Sequence, residues 1–137
     1  MTRSSMRPSV GLVLALALVA AFAAGCSGTT SDAAAGGVRT VAAAEAVKMI
    51  DSRTVIDVRT PAEYAAGHVA GAQNIDVEAA DFGSRIAALD KNAPYLLYCR
   101  SGRRSALAAD QMKQAGFTDV VDAGGLDGLV AAGAPQQ

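Results

Sequence analysis

Residues 95–105 read YLLYCRSGRRS and join an apolar run to a polar, arginine-rich segment. The apolar run 95–98 predicts a short buried β-strand, and Ala-Leu-Ala-Ala at 106–109 predicts a helix. Between them, residues 99–105 hold one cysteine, one glycine, two serines and three arginines. A strand-to-helix crossing of this kind lies at the carboxyl edge of a parallel sheet, where α/β folds bind their ligands. The stretch therefore predicts an α/β fold with its binding site at residues 99–105.

The chain from residue 38 onward alternates strand patterns with helix patterns. The predicted strands are 38–41, 54–58, 72–77, 95–98 and 119–122, and the predicted helices are 42–50, one beginning at Pro61, 81–89 and 104–115. Thr60 is a predicted N-cap, because its hydroxyl can accept from a free N–H of the helix that starts at Pro61. Strands separated by helices predict a parallel central sheet flanked by helices on both faces. With 137 residues, 51% of them hydrophobic, the chain has room for one such domain.

The N-terminus carries a separate apolar segment. Arg3 and Arg7 precede an uncharged stretch at 10–24, which ends in small residues just before Cys26. This order is typical of a secretory signal, and the stretch is shorter than the roughly 20 apolar residues of a membrane-spanning helix. We therefore predict a signal peptide at residues 1–25, with a retained membrane span as the less favoured alternative.

Residues 23–26 read AAGC and resemble the lipobox of bacterial lipoproteins, although the usual leucine three places before the cysteine is Ala23 here. The resemblance implies that Cys26 is lipidated. Residues 27–37 read SGTTSDAAAGG and have little to bury, so residues 26–37 are predicted to form a flexible tether to a domain at 38–137. The resemblance also implies an extracytoplasmic protein held at a bacterial cell membrane by that lipid. An ordinary secretory signal cleaved near Ala23 is the alternative, and it would leave Cys26 as an unmodified thiol.

Charge and cysteine content limit the classes of partner. The chain has 12 basic and 13 acidic residues, and loss of Arg3 and Arg7 with the signal would leave 10 against 13, a net charge of −3. Such a chain does not favour nucleic acid as a partner. Lipid on Cys26 would leave Cys99 without a partner for an internal disulfide in an oxidising compartment. A lone thiol there needs either a function or deep burial.

The composition of residues 99–105 favours a reactive thiol. Backbone N–H groups of such a loop, together with the N-terminus of the next helix, form a binding site for an anion. Arg100, Arg103 and Arg104 raise the positive potential further. A thiolate is stabilised in that setting, which makes Cys99 a nucleophile near neutral pH. The residues alone leave open a structural reading, in which Cys99 is a core residue and the arginines lie on a solvated helix start.

Four motifs, in this order, resemble a single-domain rhodanese. They are VIDVR at 55–59, EYAAGHVAGAQNI at 63–75, CRSGRRS at 99–105, and Gly124-Gly125 with GAP at 133–135. The resemblance implies a rhodanese-like α/β fold and a sulfurtransferase in which Cys99 takes a sulfane sulfur from thiosulfate or a persulfide donor. The resulting persulfide would pass that sulfur to a thiol or cyanide acceptor. Neither a metal nor an organic cofactor is implied.

The resemblance also implies roles for individual residues around a catalytic Cys99. The residues expected to surround the anionic donor are Arg100, Ser101, Gly102, Arg103 and Arg104. The residues expected to support the loop are Asp57, Arg59 and Ser105. Asp57 is expected to order the loop backbone, and Arg59 either to pair with Glu63 or to reach the anion.

Other marked residues are expected to be structural. His68 is the only histidine, and it lies in a Gly-His-Val turn that resembles a structural signature of the family, so scaffolding is favoured over a Cys/His pair. Gly124 and Gly125 are expected to allow a close backbone approach after the last strand. Leu129 stands where the family commonly has a tryptophan, so we expect the terminal helix to pack less tightly.

Two alternatives belong to other functional classes. Cell-cycle dual-specificity phosphatases share the rhodanese fold, but their signature places an arginine six residues after the cysteine. Here that position is Ser105, and Arg104 comes one residue earlier, so the loop is expected to be too tight for a phosphoryl group. The stronger alternative is a non-catalytic, membrane-tethered module that binds a partner or carries sulfur only within a complex.

Overall fold

Five parallel strands form one sheet in the computed structural model, which describes residues 37–137. The strands are β1 (Gly37–Thr40), β2 (Thr54–Asp57), β3 (Gln73–Asn74), β4 (Tyr95–Cys99) and β5 (Asp119–Gly125). The helices are α1 (Ala43–Val47), α2 (Pro61–Ala65), α3 (Phe82–Ala87), α4 (Arg103–Gln114) and α5 (Leu126–Ala131). The strand order is β1-β5-β4-β2-β3, which places β4 in the middle.

Side chains of β4 alternate between two hydrophobic clusters. Tyr95, Leu97 and Cys99 pack on one face with residues of α3 and α4. Leu96 and Tyr98 pack on the other face with residues of α1 and α5. All five residues of β4 are buried, as expected for a central strand of a parallel sheet that is covered on both sides. The predicted parallel sheet with helices on both faces is confirmed.

The start of α2 follows the sequence prediction. Thr60 is the N-cap, Pro61 is the first helical residue, and Glu63 completes a capping box in which each side chain accepts from the other residue's backbone N–H. This arrangement satisfies free N–H groups at the helix start. The capping box also fixes the direction of the Glu63 carboxylate, which matters for the site below.

Three elements differ from their predicted bounds by three residues at one end, and others differ by one or two. The predicted helix 42–50 ends earlier, because α1 stops at Val47 and a 3₁₀ turn at Ile50–Ser52 follows. The predicted strand 72–77 is paired as a strand only over Gln73–Asn74, although Ile75 and Val77 still donate to the backbone of the β2 end. The last strand is longer than 119–122, because β5 continues past an irregularity in its pairing with β4.

The predictions for residues 1–36 lie outside the described residues. They include the signal peptide at 1–25, the lipidated Cys26 and most of the tether. Within residues 37–137, no helix has both the length and the apolar character needed to cross a bilayer.

Candidate active site

Cys99 is the last residue of β4, and its side chain is fully buried at the start of the loop that leads into α4. The backbone N–H of Gly102 donates a hydrogen bond to the Cys99 Sγ at 3.0 Å. Gly102 has a φ of 97°, the left-handed conformation that glycine adopts without strain. The loop therefore turns back over the thiol before α4 begins at Arg103.

The pKa of Cys99 is lowered by the loop around it. Burial acts in the opposite direction and raises the pKa of this thiol. The backbone N–H groups of Ser105, Ser101 and Gly102 favour the thiolate and together outweigh burial. Among them, the Gly102 N–H forms the hydrogen bond to Sγ. The loop thus places a backbone N–H donor on the thiol, as an anion at this position requires.

The loop packs directly on the end of β5. A Cβ on Gly125 would lie 2.6 Å from the carbonyl oxygen of Arg100, so only glycine fits there. The Ser105 hydroxyl lies 3.0 Å from the carbonyl oxygen of Gly102 and 3.4 Å from that of Gly124, to which it can donate. These contacts confirm the predicted close approach at Gly125 and show that Ser105, a predicted supporting residue, contacts the loop.

The three arginines of the loop differ in their surroundings. Arg104 binds both carboxylate oxygens of Glu63, at 2.7 and 2.8 Å, and contacts Glu78 at 3.3 Å. Arg100 and Arg103 are exposed, and within residues 37–137 neither forms an ion pair. The free positive charge at the loop therefore comes from Arg100 and Arg103.

The pair between Glu63 and Arg104 fixes both charges. The hydrogen bond from Arg104 is the main cause that lowers the pKa of Glu63 to about 2, with Thr60 as a further cause. The Glu63 hydrogen bond in turn raises the pKa of Arg104. Glu63 was not predicted as a site residue, and a partner 41 positions away leaves no local signal in the sequence.

Asp57, Arg59 and Tyr98 form a buried network where β2 and β4 end. The Arg59 guanidinium donates to the Asp57 carboxylate at 2.6 to 3.0 Å and to the carbonyl of Gly67 at 2.7 Å. The Tyr98 hydroxyl donates to Asp57 at 2.8 Å and accepts from the N–H of Val69 at 3.0 Å. The network anchors Tyr98, the residue directly before the buried thiol in β4.

This network corrects two expectations. Arg59 does not pair with Glu63, because its guanidinium is bound by Asp57 and Glu63 is bound by Arg104. The Asp57 carboxylate has no hydrogen bond to residues 99–105, so its contact with the site is indirect and runs through Tyr98. Arg59 is only 6% exposed and already paired, which removes it as a ligand for the anion.

His68 and Leu129 have structural surroundings. The His68 Nδ1 lies 2.9 Å from the carbonyl oxygen of Tyr64, and the two rings stack with centroids 3.7 Å apart. The backbone of His68 also pairs with that of Gln137. Leu129 is fully buried in the cluster on the α5 side of the sheet, so a smaller residue than tryptophan still leaves this position packed.

The site offers a nucleophile and anion-binding groups. Within residues 37–137, no three His, Cys, Asp or Glu side chains come together as a metal site requires. The chemistry available is that of a thiol whose pKa is lowered, with the Gly102 N–H donating to its sulfur and two exposed arginines nearby in sequence. Such a site can attack a small anion and hold the anionic product.

Comparisons with known proteins agree with this fold. Residues 42–132 match the rhodanese-like domain family, and the chain belongs to that family. A crystal structure of a rhodanese-related protein from Thermoplasma volcanium is similar, with a TM-score of 0.64 and 30% identity over 72% of this chain and 97% of that one.

Two curated relatives are named as sulfurtransferases. The chain is 41% identical to thiosulfate sulfurtransferase PspE of Escherichia coli over 71 residues, which are 52% of this chain and 68% of PspE. It is 45% identical to thiosulfate sulfurtransferase GlpE of Pseudomonas fluorescens over 67 residues, 48% of this chain and 59% of GlpE. The predicted enzyme class, a rhodanese-type sulfurtransferase, is confirmed.

Proposed function

We propose that the protein transfers a sulfane sulfur from thiosulfate or a persulfide donor to a thiol or cyanide acceptor through a persulfide on Cys99. The observation that carries this proposal is the hydrogen bond from the Gly102 N–H to the Cys99 Sγ, in a loop that lowers the pKa of the thiol. The curated relatives named above as thiosulfate sulfurtransferases support thiosulfate as a donor.

The loading step requires only the thiolate and the donor. The Cys99 thiolate attacks the outer sulfur of thiosulfate, an S–S bond forms to Cys99, and the S–S bond of thiosulfate breaks. The electron pair leaves with sulfite, so one dianion enters and one dianion departs. Arg100 and Arg103, both exposed, offer positive charge to the donor and the leaving group.

The unloading step restores the thiolate. The acceptor, a thiolate or cyanide, attacks the outer sulfur of the Cys99 persulfide, and the S–S bond breaks with its electron pair returning to Cys99. Backbone N–H groups that favour the thiolate also suit the persulfide, which carries the same charge one atom further out. No proton is transferred when both sulfur nucleophiles are ionised, so no general base is needed.

We also propose that the domain works outside the cytoplasm, tethered by lipid on Cys26. The support is the AAGC sequence at 23–26, after the basic and apolar segments of a signal peptide. A tethered domain that keeps a thiol with a lowered pKa would meet sulfur donors and thiols of the extracytoplasmic space.

The decisive experiment is sulfur transfer from thiosulfate to cyanide, followed as thiocyanate. We expect turnover by the wild-type chain and by Cys26→Ser, and its loss in Cys99→Ser. A phosphatase would instead hydrolyse an aryl phosphate through Cys99. A folded chain that binds thiosulfate without turnover with any acceptor would favour the non-catalytic binding or carrier module.

A further inference from the structure

Glu63 holds the Arg104 guanidinium with both of its carboxylate oxygens. The Arg104 Nη1 donates to Oε2 at 2.8 Å, and Nη2 donates to Oε1 at 2.7 Å. Glu78 adds a longer contact of 3.3 Å to Nη1. Because two carboxylates face one guanidinium, the cluster of Glu63, Glu78 and Arg104 carries a net negative charge.

The Glu63 carboxylate is fixed from the α2 side as well. Its Oε2 accepts from the backbone N–H of Thr60 at 3.2 Å and from the Thr60 hydroxyl at 3.0 Å. The Thr60 hydroxyl also accepts from the Glu63 N–H at 3.3 Å. Glu63 therefore joins the start of α2 to the first turn of α4 and stays ionised, because Arg104 and Thr60 lower its pKa to about 2.

Arg104 belongs to the first turn of α4, directly after the loop whose Gly102 N–H is hydrogen-bonded to the Cys99 Sγ, so this cluster lies beside the loop that holds the thiol. The interaction with the Cys99 thiolate is one of the causes that raise the pKa of Arg104, after the larger contributions of Glu63 and Glu78. Since such an interaction is mutual, Arg104 favours the Cys99 thiolate. Glu63 and Glu78 oppose this effect. An anionic donor that approaches Cys99 experiences the same opposing charges.

We propose that Glu63 is a specificity-determining residue, whose carboxylate neutralises Arg104 and thereby limits the reactivity of the site toward donors of high negative charge. The proposal rests on the sulfur transfer proposed above. Thiosulfate is a dianion, whereas methanethiosulfonate presents the same kind of transferable sulfur on a monoanion. Because electrostatic energy scales with ligand charge, Glu63 should act about twice as strongly, on a logarithmic scale, on the dianion.

The test compares the two donors in Glu63→Gln, with cyanide as acceptor. The glutamine side chain of that variant keeps an acceptor for Arg104 and Thr60 but removes the negative charge. We expect kcat/KM for thiosulfate to rise about two- to five-fold, as for a partly exposed charge. The rise for methanethiosulfonate should be smaller, and high salt should reduce both. No change, a fall for thiosulfate, or an equal change for the two donors would overturn the proposal.

Two further variants keep the test independent of helix capping. Glu78→Gln removes the second carboxylate, which is 55% exposed and belongs to no cap, and should act in the same direction with a smaller magnitude. Glu45→Gln removes one charge from the first turn of α1 and should leave the ratio of the two donors unchanged. A change in that ratio in Glu45→Gln as large as in Glu63→Gln would also overturn the proposal.

Alkylation separates this proposal from the proposed function. In chains that carry Cys26→Ser, the rate of Cys99 alkylation by iodoacetamide against pH reports the pKa of Cys99 without any sulfur donor. We expect Glu63→Gln to lower that pKa relative to the parent chain, and an unchanged or higher pKa contradicts the role of Glu63. If neither donor loads Cys99 in any variant, the sulfur transfer fails, while alkylation still decides whether Glu63 sets the charge at the thiol.

Discussion

The backbone N–H of Gly102 points at the Sγ of Cys99 from 3.0 Å, three residues along the same loop. The loop can close this tightly because Gly102 adopts a φ of 97° and because Gly125 lets the backbone at Arg100 approach β5. The position of the thiol thus depends on two glycines, one directly before α4 and one at the end of β5. Each of them can be tested separately from the cysteine.

Gly125→Ala should distort the loop and reduce the reactivity of Cys99. The new Cβ would lie 2.6 Å from the Arg100 carbonyl oxygen, so the loop must move. We expect a loss of about 1–3 kcal/mol in the free energy of unfolding by urea, together with slower alkylation of Cys99. Gly128→Ala, inside α5, is the matched control. Its new Cβ would lie 3.7 Å from the Cβ of Ala43, an ordinary van der Waals contact. Equal effects of the two substitutions would contradict the role of Gly125.

Asp57→Ala should be among the most destabilising single substitutions in the domain. It leaves the buried Arg59 guanidinium and the Tyr98 hydroxyl without their shared partner. Breaking a buried pair from one side costs about 3–5 kcal/mol, measured as the free energy of unfolding. Asp119→Ala, which breaks the more exposed pair with Arg53, should cost about 1 kcal/mol. A smaller loss for Asp57→Ala than for Asp119→Ala would refute this account of the network.

Glu63 should make stability depend on pH in the acid range. Its pKa is lowered to about 2 from 4.5, so the unfolded chain binds the proton more readily than the folded chain. The stabilisation is therefore complete at pH values above the pKa of Glu63 in the unfolded chain, and it is lost as the pH falls toward 2. Because the side chain is 28% exposed, we expect only about 1 kcal/mol at neutral pH.

The measurement compares wild type with Glu63→Gln by urea unfolding between pH 7 and pH 2. The difference in free energy of unfolding should be constant near neutral pH and should narrow as the pH falls below 4.5. A difference that grows in acid would reverse the assigned sign. Glu45→Gln again serves as the control for one charge removed elsewhere.

The sequence predicted the parts of this site that depend on local patterns. The run 95–98 is apolar throughout and predicted a buried strand, and Thr60 before Pro61 predicted the N-cap of a helix. Both features arise from residues close together in the chain. The glycine at 102 likewise marks a tight turn between a strand and a helix.

The partners of the charged side chains could not be predicted in the same way. The sequence offered Glu63 as a partner of Arg59, and the pair that forms depends on the distance between α2, α4 and the end of β2. Arg59 turns back to Asp57, two residues earlier, and leaves Glu63 to Arg104, 41 residues away. The residues around Arg59 and those around Arg104 do not indicate how far apart the two segments lie in the fold.

Cys26→Ser should abolish attachment of lipid to the chain. In a bacterium that processes lipoproteins, labelled fatty acid or glycerol should be incorporated into the wild type and not into Cys26→Ser. The mature wild-type chain should begin at Cys26, because lipoprotein processing makes the modified cysteine the new N-terminus. Equal labelling of both chains, or a mature N-terminus at another residue, would contradict lipidation. Cys99→Ser is the control and should be labelled like the wild type.

The most direct test of the central claim is the intact mass of the full chain carrying Cys26→Ser after incubation with thiosulfate. Cys99 is then the only thiol, because the sequence contains two cysteines. The account predicts the gain of one sulfur atom, located on Cys99 by peptide mapping, removed by cyanide with release of thiocyanate, and absent when Cys99→Ser is added. A reduced, folded chain that gains no sulfur from thiosulfate or from persulfide donors would contradict sulfur transfer through Cys99.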